Sequence, residues 1–391
     1  MDNFRFVSPT EFIFGKNTVD KVGYWIKEHG GTKVLVHYGQ QSAVKSGLLA
    51  EVENSLKNEF IDYVTLGGVQ PNPVDTMVYQ GIDLCRKEQV NFILAIGGGS
   101  VIDSAKAIAV GVPYAGDFWN FFDKTVTINK ALPVATILTI PASGSEGSQS
   151  MVITKEKGGL KRGVGSTLIR PVFSIMDPTL TFSLPAYQTA CGVADMIAHV
   201  LERYFTPTRN VDLTDRLCEA ILLSIIEEAP VVMQNPRDYD TRANLMWAGT
   251  MAHNGICGVG REEDWASHGL EHELSAFYGV AHGAGLAVMF PAWMQYVYTS
   301  GIDRFVQFAA RVWNIEFTGD KKETALKGIN ALKEFFSSLG LPVNFNQLGA
   351  KAGDIDHLID TLKINSGGQL GAFRPLDMTD ARAIYEIAAK G

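Results

Sequence analysis

The chain has 391 residues, a net charge of −8, 46% hydrophobic residues and 19% charged residues. That length exceeds one ordinary core and points to two domains, while the composition excludes a disordered chain. The acidic balance gives no electrostatic support to a nucleic-acid partner, and no run of eighteen apolar residues is present to span a membrane.

In chain order, residues 4–15 alternate apolar and polar side chains, which predicts an antiparallel edge hairpin. Thr18–Glu28 reads as a helix and Lys33–Tyr38 as a buried strand that ends in a turn. Asp75–Glu88 reads as a second helix, followed by strands at Phe92–Ile96, Val134–Ile140 and Val172–Met176. Strands that alternate with helices predict a parallel sheet covered on its faces. Beyond Leu184-Pro185 the texture becomes helical, with segments at Tyr187–Tyr204, Asp212–Glu228, Asp240–Asn254, Trp265–Phe277, Gly283–Tyr298, Ile302–Val312 and Lys321–Leu339. The expected domains are therefore 1–185 and 186–391. Cys85, Cys191, Cys218 and Cys257 form no CxxC pair and read as buried small hydrophobes in a reducing cytoplasm. Met1-Asp2-Asn3-Phe4-Arg5 carries no signal-peptide pattern.

The run Gly97-Gly98-Gly99-Ser100-Val101-Ile102-Asp103 follows a strand and opens a helix. Consecutive glycines let a backbone approach a pyrophosphate, and a helix N-terminus favours its charge. Isoleucine at 102 departs from the GxGxxG fingerprint, so the turn points to a phosphate ligand without a standard Rossmann unit. A simpler reading is that Ser100 and Asp103 only cap the helix. Lys106 is a further candidate, against the common case of a solvated helix lysine.

The second signal is Asp195-x3-His199, then His268 with His272 four positions on, then His282 between Ala281 and Gly283. The i, i+4 spacing places each pair on one helical face, and carboxylate with imidazole suits a divalent transition metal. Singly, each histidine reads more simply as a hydrogen-bonded core or capping group. Two such pairs beside a glycine-flanked histidine favour a shared site. Glu202, one turn past His199, is either a support for that site or a structural ion pair. Trp265 is a pocket wall or a core aromatic. His29, His37, His253 and His357 lack this context and read as structural or surface residues. Gly269 rules out the HExxH metalloprotease pattern.

Together these motifs resemble the iron-dependent (group III) alcohol dehydrogenases, in particular the butanol dehydrogenase and aldehyde reductase branch. The resemblance spans nearly the whole chain. It rests on Gly97-Gly98-Gly99-Ser100-x-x-Asp103-x-x-Lys106, Thr139-x-Pro141-Ala142-Ser143-Gly144-Ser145-Glu146 and Met176-Asp177-Pro178. It continues through Gly192-Val193-Ala194-Asp195-x3-His199, Asp264-Trp265-Ala266-x-His268-x3-His272-Glu273-Leu274 and His282-Gly283. It implies an N-terminal α/β dinucleotide-binding domain with a parallel sheet and an all-α C-terminal domain, the architecture shared with dehydroquinate synthase. It also implies metal ligation by Asp195, His199, His268 and His282, with His272 near the nicotinamide and suited to proton transfer. Gly97, Gly98, Gly99, Ser100 and Asp103 match the pyrophosphate turn, Thr139, Ser143 and Ser148 line the cofactor, and Lys161 reaches it. Ser143 stands where the family usually has threonine, and Gly147-Ser148 and Gln149 are atypical, which bears on the substrate pocket.

NAD-linked relatives place an acidic residue near Gln40, whereas this chain has no Asp or Glu between His37 and Glu51. Gly39 and Ser42 could accept a 2′-phosphate, so the expected cofactors are NADP(H) and one divalent metal, Fe²⁺ or Zn²⁺. The expected activity is metal-dependent oxidation or reduction of short-to-medium primary alcohols and aldehydes. Polyol dehydrogenases, a dehydroquinate-synthase-type cyclase and a non-catalytic metal-binding protein are the alternatives. The expected partners are small-molecule substrates and a second copy of the chain.

Overall fold

A computed structural model describes residues 1–391. The chain forms two compact units, one of Val7–Ser183 with Arg237–Met246, the other of Met1–Phe6, Leu184–Pro236 and Trp247–Gly391.

The first unit contains β1 (Glu11–Phe14), β2 (Lys33–Gly39), β3 (Asp62–Val69), β4 (Phe92–Gly98), β5 (Val134–Ile140), β6 (Ser150–Lys155), β7 (Leu160–Gly165) and β8 (Phe173–Met176). Six of these form one sheet in the order β1-β8-β5-β4-β2-β3, with every neighbouring pair parallel. β6 and β7 form a separate antiparallel hairpin. Alternation along the strands divides the core into two layers. Leu35, Ile93 and Ala95 pack with Val78, Ile82, Ile102 and Ile108 of the helices Asp75–Glu88 and Gly99–Gly111. Val34, Val36, Leu94 and Ile96 pack with Val22, Ile26, Val52 and Leu56 of the helices Val22–Glu28 and Leu48–Asn58. Cover on both faces is why all of β4 is buried and its sequence is a continuous apolar run.

The strand order reverses at β2, since β3 lies on one side of it and β4 on the other. At such a reversal the connections diverge and leave a crevice beyond the carboxyl ends of the strands, where open α/β sheets bind ligands. Tyr38 pairs with Ile96. The turns after Gly39 and Gly98 therefore stand side by side at this edge.

The expected N-terminal hairpin does not form. Residues 1–10 contain no strand, and β1 runs parallel to β8. The chain start is engaged by loops instead. The Met1 amino group donates to the Arg209 carbonyl at 3.1 Å and the Asp2 N–H to the Gly260 carbonyl at 2.9 Å. The Thr208 hydroxyl donates to the Asp2 carboxylate at 2.7 Å.

The second unit is helical: Ala186–Tyr204, Asp212–Gln234, Ala266–Tyr278, His282–Val297, Ile302–Val312, Lys321–Ser338, Ile355–Ser366 and Met378–Lys390. In His282–Val297 every residue from Gly283 to Met294 is buried, which accounts for its lack of a polar face. No helix is long and apolar enough to cross a membrane. All four cysteines are free and buried.

His37 in β2 is buried with Nδ1 against the Leu66 carbonyl and Nε2 against the Ser104 hydroxyl, both at 2.8 Å. Burial lowers its pKa from 6.5 to about 4, against the opposing effect of the Leu66 bond. The unfolded chain then binds this proton more readily than the folded one. The contribution to stability is complete above about pH 6.5 and falls away as pH drops toward 4, by about 3 kcal/mol at most. His37→Gln is expected to show a shallower loss of urea stability between pH 7 and 4.5 than the parent chain. Equal pH dependence in the two proteins would contradict this role.

Candidate active site

At the switch point, packing demands all three glycines. A Cβ on Gly97 would lie 2.5 Å from Val101 Cγ2, one on Gly98 2.8 Å from Ile140 Cβ, and one on Gly99 2.3 Å from the Ser143 hydroxyl. The simpler reading of Ser100 and Asp103 as a cap does not hold, since the helix Gly99–Gly111 begins without any side-chain cap. Asp103 is engaged elsewhere: it accepts the Ser145 hydroxyl at 2.6 Å and the Val152 N–H at 2.9 Å. The first-turn N–H groups, including that of Ser100, are thus available to an anion, favoured by the helix dipole.

Other residues expected at the cofactor lie in the same unit. Thr139 is near the end of β5, and Ser143 lies against Gly99. Gly39 ends β2 and Ser42 opens the short helix Ser42–Lys45. A Cβ at Gly39 would meet nothing closer than 3.8 Å, so packing does not require glycine there. The Ser148 hydroxyl faces inward, 3.4 Å from Lys106 Nζ. Lys161 in β7 donates to the Asn72 side chain at 2.9 Å. Gln149 is exposed. Lys106 is not the solvated lysine its helical setting suggested; it is fully buried.

In the helical unit, Asp195 and His199 come from Ala186–Tyr204, His268 and His272 from Ala266–Tyr278, and His282 is the first residue of His282–Val297. Two glycines bring these helices together. A Cβ on Gly283 would lie 1.9 Å from the Cys191 carbonyl oxygen, and one on Gly285 2.6 Å from Glu271 Oε1. Asp195, His268 and His282 present ligand atoms all within 4.8 Å of one another. His268 Nε2 and His282 Nε2 stand 4.0 and 3.8 Å from the same Asp195 oxygen. A tetrahedral ion with nitrogen bonds near 2.0–2.1 Å needs ligand edges of about 3.4 Å, so a small contraction would suffice. His268 Nε2 is buried without a hydrogen-bond partner, which fits a lone pair aimed at a cation. His199 stands beside this group but not within it, its ring 4.7 Å from that of His268.

The three imidazoles share one arrangement. His199 Nδ1 faces the Asp195 carbonyl at 2.9 Å, His268 Nδ1 faces Glu202 at 2.7 Å, and His282 Nδ1 faces Glu271. A carbonyl or carboxylate can only accept, which assigns the proton to Nδ1 and the lone pair to Nε2. Such partners orient metal-binding histidines and raise their basicity. Burial, then the neighbouring imidazoles of His199, His282, His272 and His253, hold His268 well below the usual histidine range and so keep it neutral. Burial, then nearby Asp264, pushes Glu202 well above the usual carboxylate range. A bound cation would oppose the Glu202 shift, because it favours the carboxylate, and reinforce that of His268, because it disfavours the imidazolium.

Glu202 does more than one task. It also accepts the N–H groups of Trp265 at 2.8 Å and His268 at 2.9 Å, which caps the helix Ala266–Tyr278 from a different helix. Trp265 has φ +65° and its ring packs under the Arg203 guanidinium and beside His199 and His268. It is a wall of the histidine cluster. His272 is half-buried, its ring 5.6 Å from that of His282. Two residues were missed. His253, set aside in the sequence as structural or surface, lies with its ring 4.2 Å from that of His199. Glu271 was hidden because its partner His282 lies eleven positions later, outside any helical repeat. His29 and His357 stay away from this site, against the Trp25 carbonyl and the Phe277 ring.

Comparison with known proteins agrees with both halves. Residues 9–178 match the family model for iron-containing alcohol dehydrogenase, and residues 189–389 match the C-terminal model of the Fe-containing alcohol dehydrogenase family. The chain is 40% identical to NADH-dependent butanol dehydrogenase A of Clostridium acetobutylicum, covering 99% of each chain. It is 37% identical to NADPH-dependent aldehyde reductase YqhD of Escherichia coli, covering 99% of this chain and 100% of that one. The crystal structure of NADH-dependent butanol dehydrogenase A from Thermotoga maritima superposes with a TM-score of 0.97 at 41% identity, covering 100% of this chain and 99% of that one.

Glu271→Gln is expected to weaken metal affinity by about 10- to 100-fold, read by chelator competition, because the bond to His282 Nδ1 loses its charged acceptor. Asp195→Ala should lose bound metal outright by elemental analysis. An unchanged competition curve for Glu271→Gln would remove its supporting role.

Proposed function

The chain belongs to the iron-containing alcohol dehydrogenase family, and from that premise we propose that it interconverts short-to-medium primary alcohols and aldehydes with NADP(H). One divalent ion, Fe²⁺ or Zn²⁺, would be held by Asp195, His199, His268 and His282. The observation that carries this reading is the convergence of ligand atoms from Asp195, His268 and His282, with His199 beside them and each histidine backed by an oxygen acceptor on Nδ1. When bound, a divalent ion polarises a carbonyl oxygen and a reduced nicotinamide supplies hydride to the carbon.

The remaining tasks fall to the chain's own groups. The Gly97–Ser100 turn binds pyrophosphate through first-turn N–H groups. Glu202 and Glu271 keep the His268 and His282 lone pairs facing inward. His272 is half-buried beside His282 and, as an imidazole, suits transfer of a proton between the nascent alcohol and solvent. Support for NADP(H) comes from the turn after β2, where Gly39-Gln40-Gln41-Ser42 offers N–H and hydroxyl groups and no carboxylate to repel a 2′-phosphate. The names of the relatives divide between NADH and NADPH.

With metal-replete protein, butanal is expected to drive oxidation of NADPH with a higher kcat/KM than NADH. A higher value with NADH would overturn the cofactor choice, and no turnover with either would overturn the activity. His272→Ala should retain the metal and lower kcat with an altered pH profile. A parent-like profile would exclude it from proton transfer.

A further inference from the structure

Lys106 lies on the helix that begins at the glycine turn, two turns in, and none of its surface reaches solvent. A buried ammonium is very costly without close partners. Its Nζ is surrounded by five oxygens: the Ser145 carbonyl at 2.7 Å and hydroxyl at 2.9 Å, the Ser148 carbonyl at 3.1 Å and hydroxyl at 3.4 Å, and the Ser150 carbonyl at 2.9 Å. They come from the irregular segment after β5 and from Ser150, the first residue of β6.

That segment is itself buried from Gly144 to Ser148, which is unusual for a loop because its carbonyls need donors. The intervening carbonyls are met as well. Ser174 donates to Glu146 O at 2.7 Å, and the Arg170 guanidinium donates to Gly147 O. Asp103 completes the arrangement by accepting the Ser145 hydroxyl. The loop therefore wraps a fixed cation with its oxygens inward, much as a ring of carbonyls replaces the hydration shell of a potassium ion. The same loop touches the glycine turn through Ser143, whose hydroxyl occupies the space a Gly99 side chain would need. Burial lowers the lysine pKa to about 8, opposed by Asp103 and Glu146, so the group is still largely charged at neutral pH.

We propose that Lys106 is a positioning residue: its ammonium serves as a built-in monovalent cation that shapes the Pro141–Ser150 loop for the nicotinamide cofactor. This rests on the reading that this loop borders the cofactor. Nothing in it requires Lys106 to touch the cofactor or substrate. A cation cage makes a demand that simple core packing does not: a small cation delivered from solution should replace the missing one. Lys106→Ala removes a propylammonium equivalent, and propylammonium is the matching probe.

NADPH affinity is measured by fluorescence without aldehyde, and loop protection by hydrogen exchange over residues 144–150, in propylammonium or in tetramethylammonium chloride of equal ionic strength. In tetramethylammonium, Lys106→Ala is expected to bind NADPH about tenfold or more weakly and to exchange faster in the loop. Propylammonium should reverse both, with no effect on the parent chain and no change in metal content. Unchanged NADPH affinity in tetramethylammonium, or a loss that propylammonium does not reverse, overturns the proposal. Faster exchange rescued by propylammonium with unchanged NADPH affinity keeps the cage but refutes its link to the cofactor, and with it the placement of the cofactor along this loop. Should Lys106→Ala fail to fold, Ser145→Ala removes only one oxygen of the cage. It is expected to weaken NADPH binding severalfold, and parent-like affinity in that variant counts against the proposal.

Discussion

A carboxylate cannot enter an apolar helical core without partners, and the helix Ala186–Tyr204 carries two, Asp195 and Glu202. Their requirements organise the second unit. Glu202 takes two backbone N–H groups and the His268 ring, which anchors the start of the helix Ala266–Tyr278. Asp195 faces the imidazoles of His199, His268 and His282. Burial that would destabilise an isolated charge keeps the His268 imidazole neutral, the form a divalent cation needs. The glycines at 283 and 285 belong to the same geometry, since a Cβ there would meet the Cys191 carbonyl and the Glu271 side chain that faces His282.

The first unit meets a parallel requirement with opposite sign. Lys106 is a buried cation, and an irregular loop supplies the oxygens that make it tolerable. One helix thus begins at the glycine turn and, two turns later, pins the loop that packs on that turn. In both units, a charge that would be costly alone fixes chain segments that no regular secondary structure would hold. This links packing to chemistry: precise placement of ligand groups comes from buried polar satisfaction more than from apolar contact.

Much of this was legible in the chain. Val134–Ile140 and Asp75–Glu88 stand where periodicity placed them, because buried strands and amphipathic helices write their burial directly into side-chain order. β3 escaped notice because it is an edge strand, half-exposed and interrupted by Gly67 and Gly68. The β6–β7 hairpin was obscured by the charged residues Lys155, Glu156 and Lys157 at its turn. The N-terminal alternation misled, since a period of two records which side chains could share a face, not whether a partner strand exists to pair with them.

The sequence alone determined the fold class and the identities of the candidate ligands, because these are set by local periodicity, by glycine runs and by i, i+4 spacing. Tertiary structure decided which ring nitrogen faces inward, that Glu271 backs His282, that His253 joins the cluster and that Lys106 is caged. Each of these depends on a hydrogen bond or close contact between residues on separate elements. Such contacts leave no periodic trace in the chain. They exist only once helices have packed closely enough for every buried polar atom to find its counterpart.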